Sequence, residues 1–158
     1  MKWLALLTSA AWVDFAVIVL SKFFPLTTAL GTWYKEFGLV AVGQDILILV
    51  LGIALAMFFA PDASGWSLVG VAVTIQLIHD VLFYVGVILP IPEGHNKIID
   101  IFKRYAAEGS WKILLADAGM IAASVLLMET LDNNYTDDQV AFLGALASYS
   151  LMYIIYTK

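Results

Sequence analysis

Apolar residues fall into five long runs along the chain, at about 3–24, 38–60, 66–89, 111–131 and 139–157. A helix needs roughly 20 mainly apolar residues to cross a bilayer core, so each run predicts one spanning helix. Pro25 follows the first run, 61–65 (Pro-Asp-Ala-Ser-Gly) breaks the second, and Pro90-Ile91-Pro92 stops the third. Proline lacks an N–H donor and disfavours helix in the residue before it. The polar stretch 131–138 separates the last two runs. Lys2 ahead of an apolar stretch has a signal-peptide flavour, but the run continues past Asp14 to Leu20 and reads better as a span.

The third connection has its own periodicity. Over 97–108, Ile98, Ile101, Phe102, Tyr105 and Ala106 share one helical face, and Asp100, Lys103, Arg104 and Glu108 take the other. A short amphipathic helix on the membrane surface follows, ended by Gly109. The expected fold is an all-α integral membrane protein: one domain, a five-helix transmembrane bundle, and a cytosolic interfacial helix between spans three and four.

Composition agrees with the pattern. Of 158 residues, 62% are apolar and 13% charged, with mean hydropathy +0.91; soluble domains run nearer 45–50% and 25%. The surplus excludes a soluble enzyme, and the net charge of −5 gives no overall attraction to nucleic acid. Without cysteine there is no disulfide, thiolate metal site or thiol chemistry.

Basic residues orient the bundle, because Lys and Arg in short loops stay cytosolic. Only Lys2 lies on the side of the N-terminus, while Lys22, Lys35, Lys97, Lys103, Arg104, Lys112 and Lys158 lie on the other, predicting N-out and C-in. Asp62, Asp132, Asp137 and Asp138 then face outward. Asn134-Tyr135-Thr136 is formally a glycosylation sequon and reads better as a polar turn. Trp3, Trp66 and Trp111 suit interfacial aromatic belts. Lys97, Lys103 and Arg104, with His95, are candidate lipid-headgroup contacts, although topology alone places basic residues there.

Each of the first four runs contains one aspartate: Asp14, Asp45 beside Gln44, Asp80 beside His79, and Asp117. A charge inside a span costs about 2.5–3.5 kcal/mol on insertion scales. At about 1.5 Å per residue, Asp14 and Asp80 lie roughly 14 Å from the cytosolic end and Asp45 and Asp117 roughly 10 Å, so the four carboxyls share a layer. Ser148, Tyr149 and Ser150 reach a similar depth in the fifth run, and Gln76 extends the stripe one turn from Asp80.

Clustered carboxyls in a low dielectric cannot all ionise, so either protons remain or a cation neutralises them. The expected function is proton or cation handling, channel- or transporter-like, at Asp14, Asp45, His79, Asp80 and Asp117, with Gln44, Gln76 and Tyr149 in support. A cation here would be hard, such as Mg²⁺ or Ca²⁺, and no other cofactor is indicated. The bland alternative is polar glue between helices, in a structural protein of a virion or larger membrane complex. An intramembrane lipid enzyme ranks third, because no catalytic motif appears and no catalytic residue is assigned. Small-residue spacings at Gly38/Val42-Gly43, Gly52/Ala56 and Ala116/Gly119/Ala123 allow close helix approach, inside the bundle or in a homo-oligomer.

The segments Trp33-Tyr34-Lys35-Glu36-Phe37-Gly38, 76–84 (QLIHDVLFY), 90–100 (PIPEGHNKIID) and 112–117 (KILLAD), with the terminal Ile155-Tyr156-Thr157-Lys158, carry a resemblance. From Trp33 onward the chain resembles a group of small polytopic membrane proteins encoded by large DNA viruses of algae and other protists. The resemblance implies a viral origin and a membrane location, and no activity.

Overall fold

The computed structural model describes residues 2–157, so Lys158 of the charge pattern lies outside the described residues. Within them the chain forms seven α-helices and one π-helical segment. Four are long and apolar enough to cross a membrane: α1 (Lys2–Phe23), α3 (Leu39–Phe59), α4 (Gly65–Phe83, continued by the π segment Tyr84–Ile88) and α6 (Trp111–Asn134). The expected fifth run forms α7 (Asp137–Ile154), which lies outside that set. Its first turn is Asp137-Asp138-Gln139, with Thr136 and Gln139 closing a capping box. Acids there suit the positive end of the helix dipole but dilute the apolar run.

Two short helices complete the chain. α5 (Lys97–Gly109) forms where the amphipathic helix was expected, with Asn96 Oδ1 accepting from the N–H of Ile98 and Ile99 at 2.9 and 3.3 Å. α2 (Thr28–Phe37) lies where the sequence reading gave no element, started by Thr27 Oγ1 accepting from Leu30 N–H at 3.1 Å.

α1, α3, α4 and α6 each pack on the next and close a ring, α7 lies along α1, and α2 packs on α5. Two buried apolar clusters fill the bundle. One joins Leu6, Ile53, Leu68, Ile121 and Met128, and the other joins Ile18, Trp33, Val42, Ile101 and Leu151. Large apolar residues also cover the outside, including Leu47, Leu51 and Leu55 at one-turn spacing on α3. An apolar surface of this extent marks contact with a membrane or with a protein partner. Trp3, Trp66 and Trp111 are all exposed.

Helices in lipid gain little from apolar contact with one another, so polar bonds and close approach must hold them. α7 is tied to α1 by Thr8 Oγ1, which donates to Val140 O at 3.3 Å, and by Trp12 Nε1, which donates to Leu143 O at 3.1 Å. Gly52 and Ala56 are buried between helices, and a Cβ at Gly52 would meet Gln76 and Ile121. Gly43 and Gly119 have open space around them.

The chain passes through one series of elements twice. The first pass is α1, Pro25, α2, a corner at Gly38 (φ 51, ψ −123) and α3. The second is α4 with its π turn, Pro90-Ile91-Pro92, α5, a corner at Ser110 (φ 50, ψ −136) and α6. Both corners need a backbone conformation that side chains disfavour, and only the first uses glycine.

Candidate functional site

The doubled series carries the aspartates with it. Asp45 follows the Gly38 corner at the same spacing as Asp117 follows Ser110, while Asp14 and Asp80 precede the two proline breaks at nearly equal distances. On α1 Asp14 lies between Ala10 of the first apolar cluster and Ile18 of the second, and on α3 Asp45 lies between Leu49 of the first and Val42 of the second.

Asp45, Asp80 and Asp117, with Gln76, line one cavity of about 670 Å³. Asp14 is fully buried beside this space, within electrostatic reach of Asp45 and Tyr34, and neither of its oxygens has a hydrogen-bond partner. Asp117 lies within electrostatic reach of both Asp80 and Asp45. The structure thus brings together the four carboxyls that depth counting placed in one layer.

Their surroundings differ. Asp45 is held from α2: Tyr34 Oη donates at 2.9 Å and Trp33 Nε1 approaches both carboxylate oxygens at 3.4 Å. Asp80 Oδ1 accepts from Gln76 Nε2 at 2.7 Å and lies 3.2 Å from His79 Nδ1, while its Oδ2 is buried without a partner. Gln76 is 5% exposed, and its Oε1 is also unpartnered. The His79 ring is 42% exposed and stacks on Phe83 with centroids 5.6 Å apart. The stack continues from Phe83 to Phe102 and Trp33, joining α4, α5 and α2.

Three supporting expectations fail. Gln44 is exposed and points away from the layer. Tyr149 is 60% exposed, its hydroxyl 3.3 Å from that of Tyr153, because the buried face of α7 runs through Val140, Ala147 and Leu151. Ser148 is exposed and bonds back to Gly144 O at 2.9 Å, so its hydroxyl does not join the layer. Among the headgroup candidates, Lys97 and Arg104 are exposed, whereas Lys103 Nζ turns inward and donates to Ile91 O at 2.5 Å. The sequon residues serve helix ends: Asn134 Nδ2 donates to Thr130 O at 2.9 Å, and Thr136 caps α7.

The sequence reading missed Trp33, Tyr34 and Tyr105, which wall the cavity from α2 and α5. It also missed two acids that cap other helices. Glu108 caps α2 through Thr28 and Ala29 N–H at 2.7 and 3.2 Å, and Glu129 caps α4 through Gly65 N–H at 2.8 Å. The signal for these was the free N-terminus of each helix, whose first amides need acceptors. Among the described residues no three His, Asp or Glu side chains lie close enough to hold a metal ion. Compared with protein families, curated proteins and solved structures, the chain matches none.

Proposed function

We propose that the chain is a five-span membrane protein, N-out and C-in, that takes up and releases protons at the carboxyl layer of Asp14, Asp45, Asp80 and Asp117, with His79 as the relay at its edge. One observation supports this reading above others: the layer is incompletely hydrogen-bonded. Both oxygens of Asp14, Oδ2 of Asp80 and Oε1 of Gln76 are buried without partners. Polar groups kept only as glue between helices are expected to be satisfied, since an orphaned one costs about 1–3 kcal/mol.

The orientation rests on the basic residues. Lys22, Lys35, Lys97, Lys103, Arg104 and Lys112 cluster at the end where α2 and α5 pack together. α7 crosses as the fifth span beside α1, and Lys97 and Arg104 meet anionic headgroups. In liposomes carrying a pH gradient, the parent protein collapses the gradient faster than protein-free vesicles and Asp80→Asn slows the collapse. Leakage-level flux from both proteins sinks the proposal.

A second reading, a structural protein of a virion or membrane complex, is favoured by Asp45. Its bonds to Tyr34 and Trp33 tie α2 to α3, a purely architectural job. Loss of folding in Asp80→Asn and Asp117→Asn with no flux in the parent protein would select it.

A further inference from the structure

The cavity itself is larger and more apolar than proton exchange requires. At about 670 Å³ it falls within the 300–1,000 Å³ typical of small-molecule sites. Its walls are chiefly aliphatic and aromatic, from Val17 and Leu20 on α1 to Ile113 and Met120 on α6. The lining residues that are exposed are Leu20, Phe24, Leu26, Val81, Tyr84 and Ser110. In the proposed membrane orientation, a rim of this kind opens toward acyl chains more readily than toward water.

Against that apolar wall stand Asp45, Asp80 and Asp117, and among the described residues lining the cavity there is no Lys, Arg or His. The charge is one-sided. An anionic amphiphile, such as a fatty acid or a phosphate-bearing lipid, would be repelled. A neutral one would leave the carboxyls desolvated and without a counter-charge. A primary ammonium brings a positive charge and three N–H donors to this wall, where Asp80 Oδ2 and Gln76 Oε1 are buried without partners. Trp33, Tyr34 and Tyr105 add aromatic faces in the same wall, which attract a cation further.

We infer that this cavity is the binding site for a single-chain amphiphilic amine, its ammonium group among Asp45, Asp80 and Asp117 and its hydrocarbon chain along the apolar wall toward the Leu20–Phe24 rim. The inference uses the carboxyl layer of the proton reading and does not depend on proton flux.

The test is thermal unfolding of the full chain in neutral detergent micelles at pH 7, titrated with dodecylamine, dodecanol or dodecanoate. The amine alone gives a saturable rise in unfolding temperature, and Asp80→Asn weakens its apparent affinity at least tenfold. Ala116→Phe, which fills the cavity and leaves every carboxyl in place, also abolishes the rise and decides the matter if Asp80→Asn does not fold. An equal rise with the alcohol or the carboxylate overturns the inference, as does an amine effect that persists in Ala116→Phe. Proton flux with no amine effect removes this inference alone; an amine effect without flux removes only the proton reading.

Discussion

The carboxylate of Glu108, near the end of α5, caps the N-terminus of α2 at Thr28, eighty residues earlier in the chain. One oxygen accepts from Thr28 N–H at 2.7 Å and the other from Thr28 Oγ1 at 2.8 Å. The bond joins the two short helices that wall the cavity at the basic end of the bundle. A helix of ten residues is marginal on its own, so α2 depends on what holds its first turn.

Glu108→Ala therefore loosens α2 without unfolding the long helices. Amide hydrogen exchange over 28–37 speeds up several-fold, exchange within α3 and α6 is unchanged, and Glu108→Gln falls between parent and alanine. Equal exchange in parent and alanine variant would show that the cap is idle.

Acid acts on the same contact. The hydrogen bond from the Thr28 hydroxyl, then that from Ala29 N–H, holds the Glu108 carboxyl below its ordinary range. A group with its folded value depressed contributes stability that is complete above the unfolded value of about 4.3 and is lost as pH falls through the lower folded value. Protection of α2 amides should hold down to about pH 4 and fall below it, and Glu108→Gln should show no such fall.

How much of this was legible in the sequence depended on distance along the chain. The long helices could be read from their unbroken apolar runs, and the nearness of the aspartates from counting residues along each run. Facing was harder. Gln76 does bond Asp80, one turn away on the same side of α4, whereas Gln44 is adjacent to Asp45 and so points about 100° away from it. Tyr149 had the right depth on the wrong face. α2 escaped because its stability comes from Glu108 and from packing on α5, both remote in sequence.

The two corners offer a paired comparison. Gly38 and Ser110 adopt nearly the same positive-φ geometry, and a non-glycine residue there is strained by about 1–3 kcal/mol. Ser110→Gly should stabilise the protein by about 1 kcal/mol. Gly38→Ala should destabilise it by at least that much, because its Cβ would also lie 3.1 Å from the Tyr156 hydroxyl. Unfolding by denaturant in micelles measures both, and shifts of the same sign would refute the assignment of strain to the corners.

The α1–α7 contact turns on Gly144, where an added Cβ would come within 2.7 Å of Thr8 Oγ1. Gly144→Val forces the helices apart and breaks the Thr8 and Trp12 bonds to the α7 backbone, costing about 1–3 kcal/mol. Gly43→Ala, in open space, serves as the control and is neutral or slightly stabilising. If Gly144→Val unfolds like the parent, α7 is not held to α1 by close approach.

Asp14 and Asp45 separate polar groups kept for architecture from those kept at a cost. Asp45→Leu orphans the Tyr34 hydroxyl and the Trp33 indole N–H, each loss costing about 1–3 kcal/mol, and uncouples α2 from α3. Asp14→Asn keeps the volume of this fully buried side chain, removes its ionisable group and leaves no bonded neighbour unpaired. Removing an unpaired buried acid lifts a desolvation cost. The midpoint of unfolding should therefore fall for Asp45→Leu and stay level or rise for Asp14→Asn, and on the proton reading flux falls in both. A stabilised Asp14→Asn that conducts like the parent would remove Asp14 from the proposed proton path.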